Sequence, residues 1–328
     1  MTPARISLLL GGALVIALIA GLLGGEVLLS GAQYAEALRD PASGPGQILW
    51  QVRAPRSLCA LVVGAALGLS GALMQGLLRN PLAEPGVLGV SATASLGGAL
   101  VLVAGAGLVP GAVELAAMAG AGLGAAALVA FAARIRAPEA LILFGVALSS
   151  FAGAATALIF NLSPSPIATA EVMGWLLGSV QNRGWGDVLW VALALAPASL
   201  LAVWSAPGLK ALSLGDETAR TLGLPLDRLR LFALIAASVA AGAAVAAAGV
   251  IGFVGLVAPH LVRAAVRADP GRVLMPSALA GGLILVVADL LTRVTPTDQE
   301  LKLGVFTALV GAPLFALIAW RAARAWRV

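Results

Sequence analysis

The chain has 328 residues, 60% of them hydrophobic and 11% charged, with a mean hydropathy of +1.02. An ordinary soluble domain is about 25% charged, so the composition excludes a soluble globular protein and indicates an all-α integral membrane protein. The formal net charge of +5 then reads as the Lys/Arg excess that membrane proteins keep on their cytoplasmic side, and nucleic acid is not expected as a partner.

Apolar runs able to cross about 30 Å of hydrocarbon as helices recur along the whole chain. They lie at about 6–29, 57–77, 87–105, 112–133, 139–160, 187–206, 231–249, 251–266, 274–292 and 303–320. About ten transmembrane helices leave no room for a soluble domain, so residues 1–328 are read as one membrane domain. The opening run is longer than a signal-peptide core and no A-x-A-like site follows, which favours an uncleaved first span. The eighth run contains Pro259 and His260 and is expected to be short or broken.

An even number of spans places both termini on one side. Fourteen of the 20 basic residues, from Arg5 and Arg79 to Arg324 and Arg327, then fall on that side, against Arg39, Arg53, Arg56, Arg183, Arg293 and Lys302 on the other. The positive-inside rule makes both termini cytoplasmic. The carboxylates Glu26, Glu114, Asp187 and Asp289 fall near span ends, which weakens the case for a proton relay at mid-membrane.

Glycine and alanine fill runs such as "LVVGAALGLSGALMQG" and let helix backbones approach closely. These glycines form no Walker A loop, because the two lysines, Lys210 and Lys302, each follow a leucine. Cys59 and His260 are each single in the chain. Disulfides within the chain and soft-ligand metal sites are therefore excluded.

Three polar islands interrupt the hydrocarbon. "RNPLAEPG", 79–86, carries two helix-ending prolines, with Asn80 and Glu84 placed to satisfy freed backbone donors. "APGLKALSLGDETARTLGLPLDRLRL", 206–231, is the longest: Ser213 is expected to cap a short helix that starts at Asp216 and Glu217 and closes at Gly223. Leucines beside those charges, Leu212, Leu214 and Leu222, suit insertion into a protein groove, against the plainer reading of a solvated connector. The third island is the set of outside arginines Arg53, Arg56 and Arg293. These could bind acidic headgroups, pair internally or receive an acidic partner, and Asp289 stands four residues before Arg293 on the same helix face.

Residues 53–97, "RAPRSLCALVVGAALGLSGALMQGLLRNPLAEPGVLGVSATASLG", resemble the FecCD-type permease subunits of bacterial ABC importers for iron chelates, haem and cobalamin. Three further blocks match in order: "LSLGDETARTLGL", "GFVGLVAPHLVRAAV", and "ADLLTR" through "LGVFTALVGAPLF". The resemblance implies a homodimer in the bacterial inner membrane with a central translocation path. It also implies two ATP-binding cassette subunits holding ATP and Mg on the cytoplasmic face, a periplasmic substrate-binding protein, surrounding lipid, and no catalysis or cofactor on this chain. Leu214, Gly215, Asp216, Glu217, Ala219, Arg220, Leu222 and Gly223 would meet the ATPase, within a coupling loop at about 207–230. Arg53, Arg56 and Arg293 would dock the binding protein. Leu143, Val146, Ser149, Ser150, Gly153, Asn161, Val172 and Trp175 would line and gate the path, and His260 would sit in a structural Pro-His turn. Among the cargoes, haem is favoured over siderophore or cobalamin. The chain reads Glu300-Leu301-Lys302 where the family usually carries Glu-x-Pro, so Lys302 replaces a helix-starting proline. The rival reading is a gradient-driven secondary transporter.

Overall fold

The fold was analysed in a computed structural model, which describes residues 2–25, 27–106, 109, 111–135, 137–163, 165–295 and 301–325. Their regular elements are helices. In chain order these are α1 (Pro3–Leu23), α2 (Gly31–Arg39), α3 (Gly44–Gln47), α4 (Ala54–Leu77), α5 (Val90–Val103), α6 (Ala112–Arg134), α7 (Pro138–Leu162), α8 (Pro166–Leu176), α9 (Trp185–Leu212), α10 (Asp216–Thr221), α11 (Leu226–Ala248), α12 (Val254–Arg263), α13 (Pro270–Val294) and α14 (Leu303–Ala325).

Each of the ten apolar runs coincides with a helix. Among the described residues, seven helices are long and apolar enough to cross a membrane: α1, a composite Gly44–Leu77, α6, α7, α9, α11 and α13. The other three are shorter: α5, α12 and the apolar stretch Leu303–Leu317 of α14. With 10 residues, α12 rises only about 15 Å at 1.5 Å per residue. The eighth run is therefore short, as expected, because left-handed backbone at Phe253 (φ 67) delays the start of the helix, and it is not broken at Pro259. The helix runs through Pro259, so the expected Pro-His turn is helical.

The second span is longer than its apolar run. A π-helical turn, Ile48–Arg53, joins α3 to α4, with Ala54 N–H donating to Leu49 O. Pro55 follows at the start of α4, where this wider turn absorbs the missing N–H donor. Nor does the hydropathy pattern announce α2, which starts with a capping box between Ser30 and Gln33. Trp50 Nε1 donates to Ala37 O at 3.0 Å and ties α2 back onto the bundle.

α4 is the axis of packing and touches α9, α11, α12 and α13. Its glycines recur at helical spacing, and each lies against a neighbouring backbone. A methyl at Gly64, Gly68 or Gly71 would overlap the carbonyl of Gly281, Ser277 or Gly255 respectively. Such contact gains dispersion energy, the main attraction between helices where lipid removes the hydrophobic drive. Ser70 Oγ adds a 2.6 Å hydrogen bond to Ala237 O of α11. In the most apolar stretch of α4 78% of residues are buried, against 17% for α7. α7 is thus a peripheral helix with one broad exposed face.

Candidate functional site

The 206–231 island folds as a short lever. Gly215, at φ 100, makes the turn out of α9, and Gly223, at φ 70, ends the segment in the left-handed region that glycine tolerates best. Ser213 does not cap α10: its Oγ donates to Lys210 O at 2.7 Å, because the turn at Gly215 places Gly215 itself at the cap position. Asp216 instead latches the lever. Its Oδ2 accepts from Arg230 of α11 at 2.6 Å, and its Oδ1 lies 3.2 Å from Arg79 beyond α4. The Arg230 hydrogen bond holds the carboxyl below its ordinary value of 3.8. Ala219 is fully buried and seats α10, whereas Glu217, Arg220, Leu214 and Leu222 are exposed, the leucines at 61% and 56%. Leu212 is buried in the core, so two leucines of the expected three face outward.

"RNPLAEPG" forms the turn beside this lever. Arg79 takes φ 51, and Asn80 Oδ1 accepts from Leu82 N–H at 2.9 Å, as its position suggested. Glu84 reaches much further, accepting from Phe253 N–H at 2.8 Å and so holding the residue that precedes α12. Burial pushes the Glu84 carboxyl above its ordinary value of 4.5. A second tie joins the same helices, since Arg263 donates to Gln75 Oε1 at 2.6 Å. Only tertiary structure reveals these partners, at separations of 169 and 188 residues.

The residues assigned to a path divide in two. On α7, Leu143, Val146, Ser150, Gly153 and Asn161 lie on the exposed face, while Ser149 is half-buried and donates to Gly86 O at 3.4 Å. Spacings of three and four residues from Leu143 to Gly153, and of eight from there to Asn161, keep them on one side of the helix. Leu141, Ala152 and Thr156 on the opposite side are buried. Val172 of α8 departs from the expectation, for it is fully buried in a cluster with Ala99 and Leu102 and lines no open space. Trp175 is half-buried, its ring packed over Gly98, where a side chain would collide with it.

At the opposite end of the bundle from α10, the three arginines are internal. Arg53 is 4% exposed and donates to Leu22 O at 2.9 Å, Leu23 O at 3.2 Å, Val27 O and the Tyr34 hydroxyl at 2.7 Å. Arg56 Nε donates to Asp289 Oδ1 at 2.9 Å. Arg293 pairs with the same carboxylate, as the four-residue spacing suggested, and donates to Gly21 O at 3.1 Å and Ser57 Oγ at 3.2 Å. Together they bind α1, α4 and α13. Sequence alone left headgroup binding, internal pairing and docking open, and within the protomer these side chains are paired, with Arg56 only half-buried. Arg39, at the end of α2, remains exposed on this end.

Lys302 lines a cleft of about 520 Å³ with Glu114, Glu171 and Arg183, and Arg183 bridges Glu114 at 3.5 Å and Asp187 at 3.4 Å. His260 lies half-buried beside Pro81, Leu82 and Phe315. Among the described residues no three His, Cys, Asp or Glu side chains gather as a metal site. Glu26, Arg136, Glu300 and Arg327, which entered the charge argument or the comparison at the last span, lie outside the described residues.

Comparison with known proteins gives the family and the overall fold. The FecCD transport family matches residues 13–321. The ABC transporter permease protein YvrB of Bacillus subtilis (strain 168), itself uncharacterized, is 40% identical over 85% of this chain and 80% of its own. The vitamin B12 import system permease protein BtuC of Salmonella typhi is 41% identical over 87% of each chain. A solved structure described as an inward-facing conformation of a metal-chelate type ABC transporter superposes with a TM-score of 0.85 at 31% identity, covering 97% of this chain and 99% of that one.

Proposed function

The chain belongs to the FecCD transport family, and from that premise we propose that it is the permease subunit of an ATP-driven importer for a large chelate. Cobalamin stands ahead of haem and ferric siderophores. The observation that carries the reading is α10, a buried-anchored, Asp216-latched lever with Leu214 and Leu222 exposed on either side. Two exposed leucines beside a rigid helix suit a groove on a partner protein. Similarity to permeases named for vitamin B12 import favours cobalamin over the haem reading.

In this reading two copies form a homodimer in the bacterial inner membrane, termini inward. The exposed α7 faces, with Leu143, Val146, Ser150, Gly153 and Asn161, border the path. Trp175 near the far end contributes to a gate. Two ATPase subunits, which hold ATP and Mg, grip α10 and its flanking residues Leu214 to Gly223. A periplasmic binding protein delivers cargo to the other end. Arg53, Arg56 and Arg293 mark the end that receives it and brace that end from within, and the exposed Arg39 adds to the cationic surface there.

Closure of the ATPases on ATP moves α10. The Asp216 contacts to Arg79 and Arg230 pass the displacement to the ends of α4 and α11 as a rigid-body shift. α7, with most of its surface outside the protomer core, is free to exchange inward and outward openings. The secondary-transporter rival needs ionisable relays within the spans. Here Glu114 and Asp187 are paired with Arg183, and Asp289 with Arg56 and Arg293.

Uptake into proteoliposomes containing the chain and its ATPase, with binding protein outside and cobalamin or haem supplied in turn, tests the reading. Accumulation of cobalamin that requires both ATP and binding protein supports it. Haem accumulation alone moves the cargo, and gradient-driven uptake without ATP overturns the importer.

A further inference from the structure

A cavity of about 340 Å³ opens at the α10 end of the bundle, where α4 and α6 finish and α7 and α11 begin. Its wall is hydrocarbon: Leu77, Leu141 and Leu234 are buried there, and Val129 and Leu231 are half-buried. The mouth has a different chemistry. Ile135 and Arg228 are exposed, and Arg230 lines the same cavity while bonded to Asp216. Asp227 also lines it and adds a negative charge that the two arginines outnumber. Arg134, in the last turn of α6, is exposed on this end as well.

We infer that this cavity binds one phospholipid with an anionic headgroup, an acyl chain lying on the leucine wall and the phosphate at Arg228 and Arg230. Its size falls within the range of about 300–1,000 Å³ typical of small-molecule sites. An apolar wall does not hold ordered water well and favours hydrocarbon. Arginines at the end of membrane-spanning helices attract anionic headgroups, and their aliphatic stems cover apolar surface. A membrane amphiphile is the ligand class that satisfies wall and mouth together at this depth. Through Arg230 the headgroup would also touch the latch of α10, which gives the lipid a route to the lever.

The test incubates the full-length purified chain with micelles holding equal phosphatidylglycerol and phosphatidylcholine, repurifies it and measures retained lipid by mass spectrometry. Retention of phosphatidylglycerol over phosphatidylcholine is expected. Arg228→Ala should reduce it about fivefold, the worth of one arginine near an anionic headgroup, whereas Arg5→Ala on the exposed start of α1 should leave it unchanged. Ala133→Trp, which fills the cavity without changing charge, should also abolish the preference. Equal retention of the two lipids, or wild-type retention in either cavity variant, overturns the site. Because the ATPase and cargo are absent from this measurement, its failure is separate from failure of the importer reading.

Discussion

Glu84 accepts a hydrogen bond from the backbone N–H of Phe253 at 2.8 Å, and the two residues come from opposite halves of the chain. This contact holds the start of α12 against the turn after α4, where Phe253 sits at φ 67. A left-handed phenylalanine is costly, and the half-buried Glu84 side chain keeps its N–H from being orphaned.

Glu84→Ala removes the acceptor of a part-buried bond and is expected to destabilise by about 1 kcal/mol, the usual net worth of one hydrogen bond. Glu84→Gln keeps a carbonyl oxygen in place. The wild-type folded pKa is raised above 4.5, so the folded state binds more protons than the unfolded one. Stability therefore falls as pH rises from about 4.5 through the folded value. Melting curves in detergent should show this slope in wild type and a shallower one in Glu84→Gln; parallel slopes would remove Glu84 as its source.

Asp216→Ala frees α10 from Arg79 and Arg230. A partly exposed pair is worth up to about 1 kcal/mol, so ATP-driven uptake is expected to fall about fivefold while ATPase activity without binding protein persists. The folded pKa of Asp216 lies below its ordinary value. Its contribution is present above about pH 3.8 and lost as pH falls through the lower folded value, so the latch is constant across neutral pH. Uptake unchanged in the variant would show that the lever works without its latch.

Asp289→Ala leaves Arg56 and Arg293 without their shared carboxylate in a buried site. Breaking such a network costs about 3–5 kcal/mol. The expected result is a large drop in melting temperature, with the same loss on Arg293→Glu. A folded Asp289→Ala protein that only lost affinity for the binding protein would return these arginines to docking. Arg39→Glu gives the converse: an unchanged melt and slower, salt-sensitive association.

Gly68→Leu places a side chain into the Ser277 carbonyl of α13. Overpacking costs about 1–3 kcal/mol and shifts backbone. Gly11→Leu on α1, where nothing lies within 4 Å, should be neutral in the same melt.

Much of this molecule is readable along the chain. The ten apolar runs each fall on a helix, and among the described residues seven of these helices are long and apolar enough to cross a bilayer, because length and hydropathy are properties that any local window reveals. Gly64, Gly68 and Gly71 announce a close-packed face by spacing alone. Gly215, Asp216 and Gly223 mark a short helix outside the apolar runs. The four ordered blocks, which match the FecCD family, carry the importer reading for the same reason: they are linear motifs.

What the tertiary structure decided is the use made of each charge and polar face. Arg53, Arg56 and Arg293 look like a cationic surface in one dimension. They are internal because Asp289 and the carbonyls ending α1 lie within reach only after α1, α4 and α13 pack. Ser213 has the right residue type to cap α10 but the wrong backbone geometry, and Val172 has the right neighbourhood but faces the core. Sequence determines which segments leave water and where the backbone turns, since those are local free energies. The partners of Glu84, Asp216 and Arg293 depend on which helices become neighbours, and that is settled by side-chain packing across hundreds of residues.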